Sequence, residues 1–216
     1  MKYCPRCGKE LIVRHEGGRD RAACPDGDCR FVHFGEFSMG VGGVVLRDGK
    51  ILLIRRGHEP GRGWWQLPGG YAECDEAIVD AVEREVLEEA GVRAKAVEVL
   101  GFRHSVGGQG SIGGPSTNIY VAFRLEPDPA CDPFCDQDEI TGVEYWDVEE
   151  ALAHERVQNL TKWAIGWARS GARGFVLADR PDDPSRPKWQ LFHISDQPSA
   201  LSNPRRGEGR QLIADG

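Results

Sequence analysis

Between residues 41 and 56 the apolar positions fall into two short runs, one ending at Leu46 and one spanning Ile51 to Ile54, with Asp48-Gly49 between them. Runs of this size predict strands at 41–47 and 50–56, and Asp-Gly is a strong signal for a tight hairpin. Residues 57–63 form a polar Gly/Pro loop, residues 64–67 a short apolar stretch, and Pro68-Gly69-Gly70 then breaks regular structure. From Ala77 the period changes. Ile78, Val82 and Val86, with Val79 and Ala90 beside them, recur at helical spacing and predict an amphipathic helix closed by Gly91 at C′. Strands are expected at 96–104, 117–125 and 143–147. A second helix is expected over about 157–168, with Val157, Leu160, Ala164 and Trp167 inward. A last short strand is expected at 174–177. Residues 180–216, rich in Pro, Asp, Ser, Gly and Arg, keep one apolar island at 189–194 and read as a poorly ordered tail or a docking arm.

Composition narrows the class. The chain has 216 residues, 40% hydrophobic and 28% charged, with a formal net charge of −7. This describes a globular protein of one domain plus an appendage, or of two small domains. No apolar run is long enough for a membrane span, and the N-terminus lacks the pattern of a secretory signal, so a cytoplasmic setting without membrane partners is expected. The acidic balance disfavours general nucleic-acid binding.

The seven cysteines are unevenly placed. Cys4-Pro5-Arg6-Cys7-Gly8 forms a C-x2-C knuckle, and Cys24 and Cys29 make a second pair around Pro25-Asp26-Gly27-Asp28. Two such pairs supply the corners of a tetrahedral Zn²⁺ site, with Gly8 and Gly27 as turn residues. Without an export signal, disulfides are the weaker alternative. His33 is a reserve ligand if Cys29 points away. Cys74, Cys131 and Cys135 show no partner pattern. Residues 1–36 are close to neutral, which favours a structural clip over a phosphate-binding module.

Charge is concentrated elsewhere. Residues 70–92 carry eight carboxylates against the single Arg84, a local excess equal to the net charge of the whole chain, −7. Such a run is either a solvated face or a site that expects cations. At helical spacing Glu85, Glu88 and Glu89 share an arc of about 100° on a face apart from the apolar one. Hard divalent cations such as Mg²⁺ are bound by oxygen ligands of this kind. Arg84 can reach Glu88 one turn on.

The series Gly70-x5-Glu76-x7-Arg84-Glu85-Val86-x-Glu88-Glu89-x-Gly91-Val92 resembles the Nudix box at all nine specified positions across 23 residues. The resemblance runs from about residue 41 to residue 169, and the cysteine segment in front resembles the zinc ribbon of NADH pyrophosphatases and related FAD or ADP-ribose hydrolases. It implies an α/β fold, a Nudix α/β/α sandwich with a mixed sheet, preceded by a small zinc ribbon. The implied division is a zinc ribbon at 1–36, a Nudix hydrolase domain at 37–170 and a C-terminal extension at 171–216. It also implies Mg²⁺- or Mn²⁺-dependent hydrolysis of a nucleoside diphosphate linked to another moiety, such as ADP-ribose, FAD or NADH. By position, Glu85, Glu88, Glu89 and the Gly69 carbonyl would hold the catalytic metal, and Cys4, Cys7, Cys24 and Cys29 the structural Zn²⁺. Glu76 and Arg84 would order the loop and helix. Arg56, Gly69 and Gly70 would face the substrate's phosphates, and the general base would be Glu85 or Glu139.

Substrate signatures are missing. Where NADH pyrophosphatases carry a Pro- and Trp-bearing stretch, this chain has Ser105-Val106-Gly107-Gly108-Gln109-Gly110. Residues 107–114 read as an open Gly-rich loop with room for a second large group, which favours a dinucleotide or nucleotide-sugar over a triphosphate. Trp64, Trp65, Phe102 and Tyr120 are either base-stacking residues or core. The alternative readings are a catalytically weak ligand-sensing or protein-binding module and an NTP pyrophosphohydrolase. A homodimer is compatible with either.

Overall fold

The computed structural model describes residues 1–109, 115–135, 139–170, 175–177 and 192–194. The chain divides into two compact units, Met1–Phe37 and Ser38–Gly216. In the first, β1 (Ile12–Glu16) and β2 (Arg19–Ala23) form an antiparallel hairpin turned by Gly17 and Gly18, both at positive φ. The patterning had not indicated this hairpin.

The second unit is built around a sheet. It contains β3 (Phe37–Arg47), β4 (Lys50–Arg56), β5 (Trp65–Gln66), β6 (Ala94–Gln109), β7 (Pro115–Pro127), β8 (Ile140–Asp147), β9 (Phe175–Leu177) and β10 (Phe192–Ile194). The strand order is β10-β9-β6-β7-β3-β4-β5, with β8 also paired to β4. β3 and β4 meet across Asp48-Gly49, where both turn residues have positive φ, the requirement of a two-residue I′ hairpin. Contacts between β3 and β7 advance the same way along both strands, Asn118 with Ser38 and then Leu125 against Gly43. That is a parallel relation, and with the antiparallel β6–β7 and β4–β8 pairs it makes the sheet mixed.

Strict alternation along β3 and β4 buries both faces. Val41, Val45, Leu52 and Ile54 pack with Val79, Val82, Val86 and Phe123 under the helix α1 (Ile78–Ala90). Val44, Ile51 and Leu53 point the other way, onto Trp65 of β5 and onto Ala151, Ala164 and Ile165 from α2 (Val148–Ala153) and α3 (Asn159–Arg169). The result is the expected α/β/α sandwich. No helix among the described residues is long and apolar enough to cross a membrane.

The expected inner face of the second helix is right in part: Ala164 is buried, Val157 is buried just ahead of α3, and Trp167 packs on the same cluster while half-buried, as Leu160 is, but the buried face also takes in Thr161, Ile165 and Ala168. Thr161 is buried because its hydroxyl accepts the Leu67 amide at 3.1 Å. Gly107 to Gln109 lie in β6 rather than in a loop, because Gly108 and Gln109 pair with Ser116 and Pro115 beyond a register shift after Ser105; the rest of that expected loop, 110–114, lies outside the described residues. The helix α2 was not expected; Asp147 caps it through Glu149 and Glu150 amides. From the extension, Phe192–Ile194 pairs antiparallel with β9, and most of its other residues lie outside the description.

Candidate functional site

The turn entering α1 depends on two glycines. Gly69 has φ +154° and lies against the Val41 carbonyl and Gly42 Cα, so a Cβ there would collide with backbone. A Cβ on Gly70 would stand 2.6 Å from the Glu85 carboxylate. Pro68 and Gly70 carbonyls accept the Gly43 and Val41 amides, both at 2.9 Å, which leaves the Gly69 carbonyl outside this strand-like pairing. Its amide donates to Glu89 Oε2 at 2.6 Å.

Arg84 ties that loop to the helix. Its guanidinium donates to both oxygens of Glu76 at 2.7 and 3.0 Å, to Glu85 and Glu88 at 2.9 Å each, and to the Tyr71 carbonyl at 3.1 Å. Glu76 in turn accepts the Glu73 amide at 2.8 Å. These bonds bring Glu76, Arg84, Glu85 and Glu88 together. Burial raises the Glu85 pKa, with Glu88 and Glu76 adding to it and Arg84 opposing. For Glu89, burial pushes the pKa up to about 8 against the Gly69 amide, with Glu85 and Glu139 raising it and Arg56 lowering it. Arg56 and Glu139 therefore stand within electrostatic reach of Glu89. Arg56 is anchored by its Nε–H to the Pro60 carbonyl at 3.0 Å, and the Glu139 carbonyl accepts the Gly57 amide at 2.7 Å.

The carboxylate oxygens of Glu85, Glu88 and Glu89 do not meet at one point: two turn to Arg84 and the third to the Gly69 amide. The donor set still suits a hard cation, being oxygen-only, partly buried and short of positive charge.

The cysteines behave differently. All four sulfur atoms of Cys4, Cys7, Cys24 and Cys29 lie within 4.8 Å of one another. Cys4–Cys29 and Cys7–Cys24 are 3.6 and 3.4 Å apart, too far for disulfides and near the edge of a thiolate tetrahedron with metal–sulfur bonds of about 2.3 Å. The cluster could hold a metal. Cys29 points into it, so His33 is not needed. The knuckles are tied by Lys9 to Asp26 at 2.6 Å. Gly8 takes the left-handed turn position of the first knuckle, but in the second it is Arg30, φ 52°, rather than Gly27. Burial opposes ionisation at Cys4, yet the Arg6 and Cys7 amides outweigh it and bring the thiol down to about 7. At Cys24 burial and the neighbouring thiols push it up to about 12. Four thiolates this close need a cation to coexist.

With this geometry in view, residues 37–165 match the model of the NUDIX domain. The chain belongs to the NUDIX family. It is 44% identical over 68 residues to an ADP-ribose pyrophosphatase of Methanocaldococcus jannaschii, covering 32% of this chain and 40% of that one. It is 29% identical over 138 residues to human nucleoside diphosphate-linked moiety X motif 6, covering 63% of this chain and 42% of that one. The chain thus spans about two fifths of the length of these curated relatives. A crystal structure of a NUDIX hydrolase from Nitrosomonas europaea superposes with TM-score 0.56 at 28% identity, over 76% of this chain and 88% of that one. NUDIX enzymes generally use Mg²⁺ or Mn²⁺, which agrees with the oxygen donors on α1.

Of the aromatic candidates, Trp65 is core, 4.9 Å from Trp146 between ring centroids. Trp64 and Phe102 are exposed. The Tyr120 ring lies across Gly40 and Gly42 of β3, and a Cβ on Gly42 would collide with its hydroxyl. Burial, with the Glu89 charge, raises its pKa. Glycines inside a strand signal a close approach of this kind, and that signal was available in the sequence.

Proposed function

We propose that this NUDIX protein is a pyrophosphohydrolase that cleaves a nucleoside diphosphate linked to a second moiety, with ADP-ribose as the first substrate to test. The supporting observation is the Arg84 fork, which fixes Glu76, Glu85 and Glu88 on the loop and helix beside the Glu89–Gly69 bond. The choice of ADP-ribose follows the function named for the archaeal relative. Glu85, Glu88, Glu89 and the Gly69 carbonyl would hold Mg²⁺ or Mn²⁺, which when bound offsets phosphate charge and acidifies a coordinated water. Arg84 and Glu76 are positioning residues. Arg56, at the end of β4 and within electrostatic reach of Glu89, contacts the phosphates in this reading. Glu139 stands outside the Arg84 fork and is the general base in this reading, since Glu85 is held by Arg84 against Gly70. Residues 1–36 form a Zn²⁺ ribbon that folds around Cys4, Cys7, Cys24 and Cys29, residues 37–170 the hydrolase domain, and 171–216 an extension.

The test is incubation of the full chain with ADP-ribose, FAD, NADH, dGTP and ATP, each with Mg²⁺ or Mn²⁺, with products identified. Metal-dependent release of AMP from ADP-ribose at a kcat/KM above that for dGTP is expected. A clear preference for a triphosphate would overturn the substrate class, and no turnover at all would favour a ligand-sensing role.

A further inference from the structure

Of the cations near the carboxylates, Arg84 is held by three glutamates and Arg56 donates its Nε–H to the Pro60 carbonyl. Arg103 on β6 is different. One terminal nitrogen donates to Asn118 Oδ1 at 2.7 Å, but its Nε is buried with no hydrogen-bond partner among the described residues. Asn118 is itself fixed, donating to Ser38 Oγ at 3.0 Å. The guanidinium sits 5.8 Å from the centroid of the Tyr120 ring, within cation–π range. Tyr120 spans Gly40 and Gly42, the Gly42 Cα borders Gly69, and the Gly69 amide holds Glu89. A continuous row of contacts therefore joins Arg103 to the catalytic helix.

A buried guanidinium N–H without an acceptor is costly. An anionic phosphate oxygen is the acceptor that a guanidinium matches best in charge and geometry. We propose that Arg103, oriented by Asn118 and seated on Tyr120, receives an oxygen of the substrate's diphosphate on the side remote from Glu85, Glu88 and Glu89. This rests on the hydrolase reading above and adds a phosphate subsite to it. Tyr120 is then the floor of that subsite, and the glycines of β3 are what allow it to lie flat.

Calorimetric binding of α,β-methylene-ADP, a non-hydrolysable nucleoside diphosphate, to the full chain with Mg²⁺ tests the subsite apart from turnover. R103Q should weaken binding by about tenfold or more, the scale of one charge-assisted hydrogen bond, with thermal stability retained. N118A should show a smaller loss, and with ADP-ribose both variants should raise KM more than they lower kcat. Affinity of R103Q within twofold of wild type overturns the proposal, as does failure of the wild-type chain to bind the analogue. Should R103Q not fold, R103K decides, because it keeps the charge and loses the Nε donor; unchanged affinity there also overturns it. Wild-type binding without turnover of any nucleotide would sink the hydrolase reading and leave the subsite standing.

Discussion

In residues 1–37 four sulfur atoms lie within 4.8 Å of one another, whereas on α1 Glu85 and Glu88 lean on Arg84 and Glu89 on the Gly69 amide. The surroundings explain the contrast. In the first unit the buried residues are Cys4, Ala23 and Cys24, so the thiol cluster is most of its interior. In the second, two layers of Val, Ile, Leu and Phe enclose the sheet, and the carboxylates sit beside a core that is complete without them. A metal would be the core of the small unit and a reagent of the large one. Arg84 gathers Glu85 and Glu88 about one nitrogen, and the Gly69 amide holds Glu89, so protein donors offset part of the like charge on this face.

This comparison is sharpest under chelation. Stripping metal from the cysteines, or Cys24→Ser, should abolish ordered structure across residues 1–37, since binding energy of about 10–16 kcal/mol in small zinc modules is also their folding energy. The second unit should keep its protection. Hydrogen exchange reports both, and an intact first unit after complete demetallation would break the contrast. Metal analysis should find one Zn²⁺ per chain.

A core substitution should do the converse. Leu53 is fully buried against Trp65 and Ile165. Leu53→Ala should cost the second unit about 2–5 kcal/mol by denaturant unfolding while thiol-bound metal is retained. A loss below about 1 kcal/mol would mean that the layer beneath α3 is not a core.

Next in size is Glu85→Gln or Glu89→Gln. If these are metal ligands on a face apart from the core, kcat/KM should fall about tenfold to a hundredfold, with little change in melting temperature. Wild-type turnover in both variants would remove them from the site. The smallest effect is expected at Lys9, whose pair with Asp26 is exposed; Lys9→Ala should shift stability by less than about 1 kcal/mol. A larger loss would show that the knuckles depend on this tie as well as on metal.

Much of the site was legible because its information is local. The fixed spacing from Gly70 to Val92 placed Glu76, Arg84, Glu85, Glu88 and Glu89 on one loop and helix, and Gly91, φ 67°, closes that helix as expected. The Asp48-Gly49 hairpin likewise needs only two residues with positive φ. Residues whose placement depends on distant strands were less visible. Thr161 escaped the apolar pattern of α3 because it is drawn inward by an amide 94 residues away in sequence. Arg103 offered no local pattern at all, since its surroundings come from β3 and β7.

The sequence by itself determined the periodicity of α1, the hairpin, the four-thiol pattern and the identity of the carboxylates, each set by backbone preference or spacing within a few turns. Only the tertiary structure decided that Glu139 and Arg56 come within electrostatic reach of Glu89, that Cys29 completes the thiol cluster, and that Tyr120 lies over the glycines of β3 beside Arg103. Those relations are set by strand order and register, in which residues far apart in the chain meet because two faces of one sheet must be buried at once.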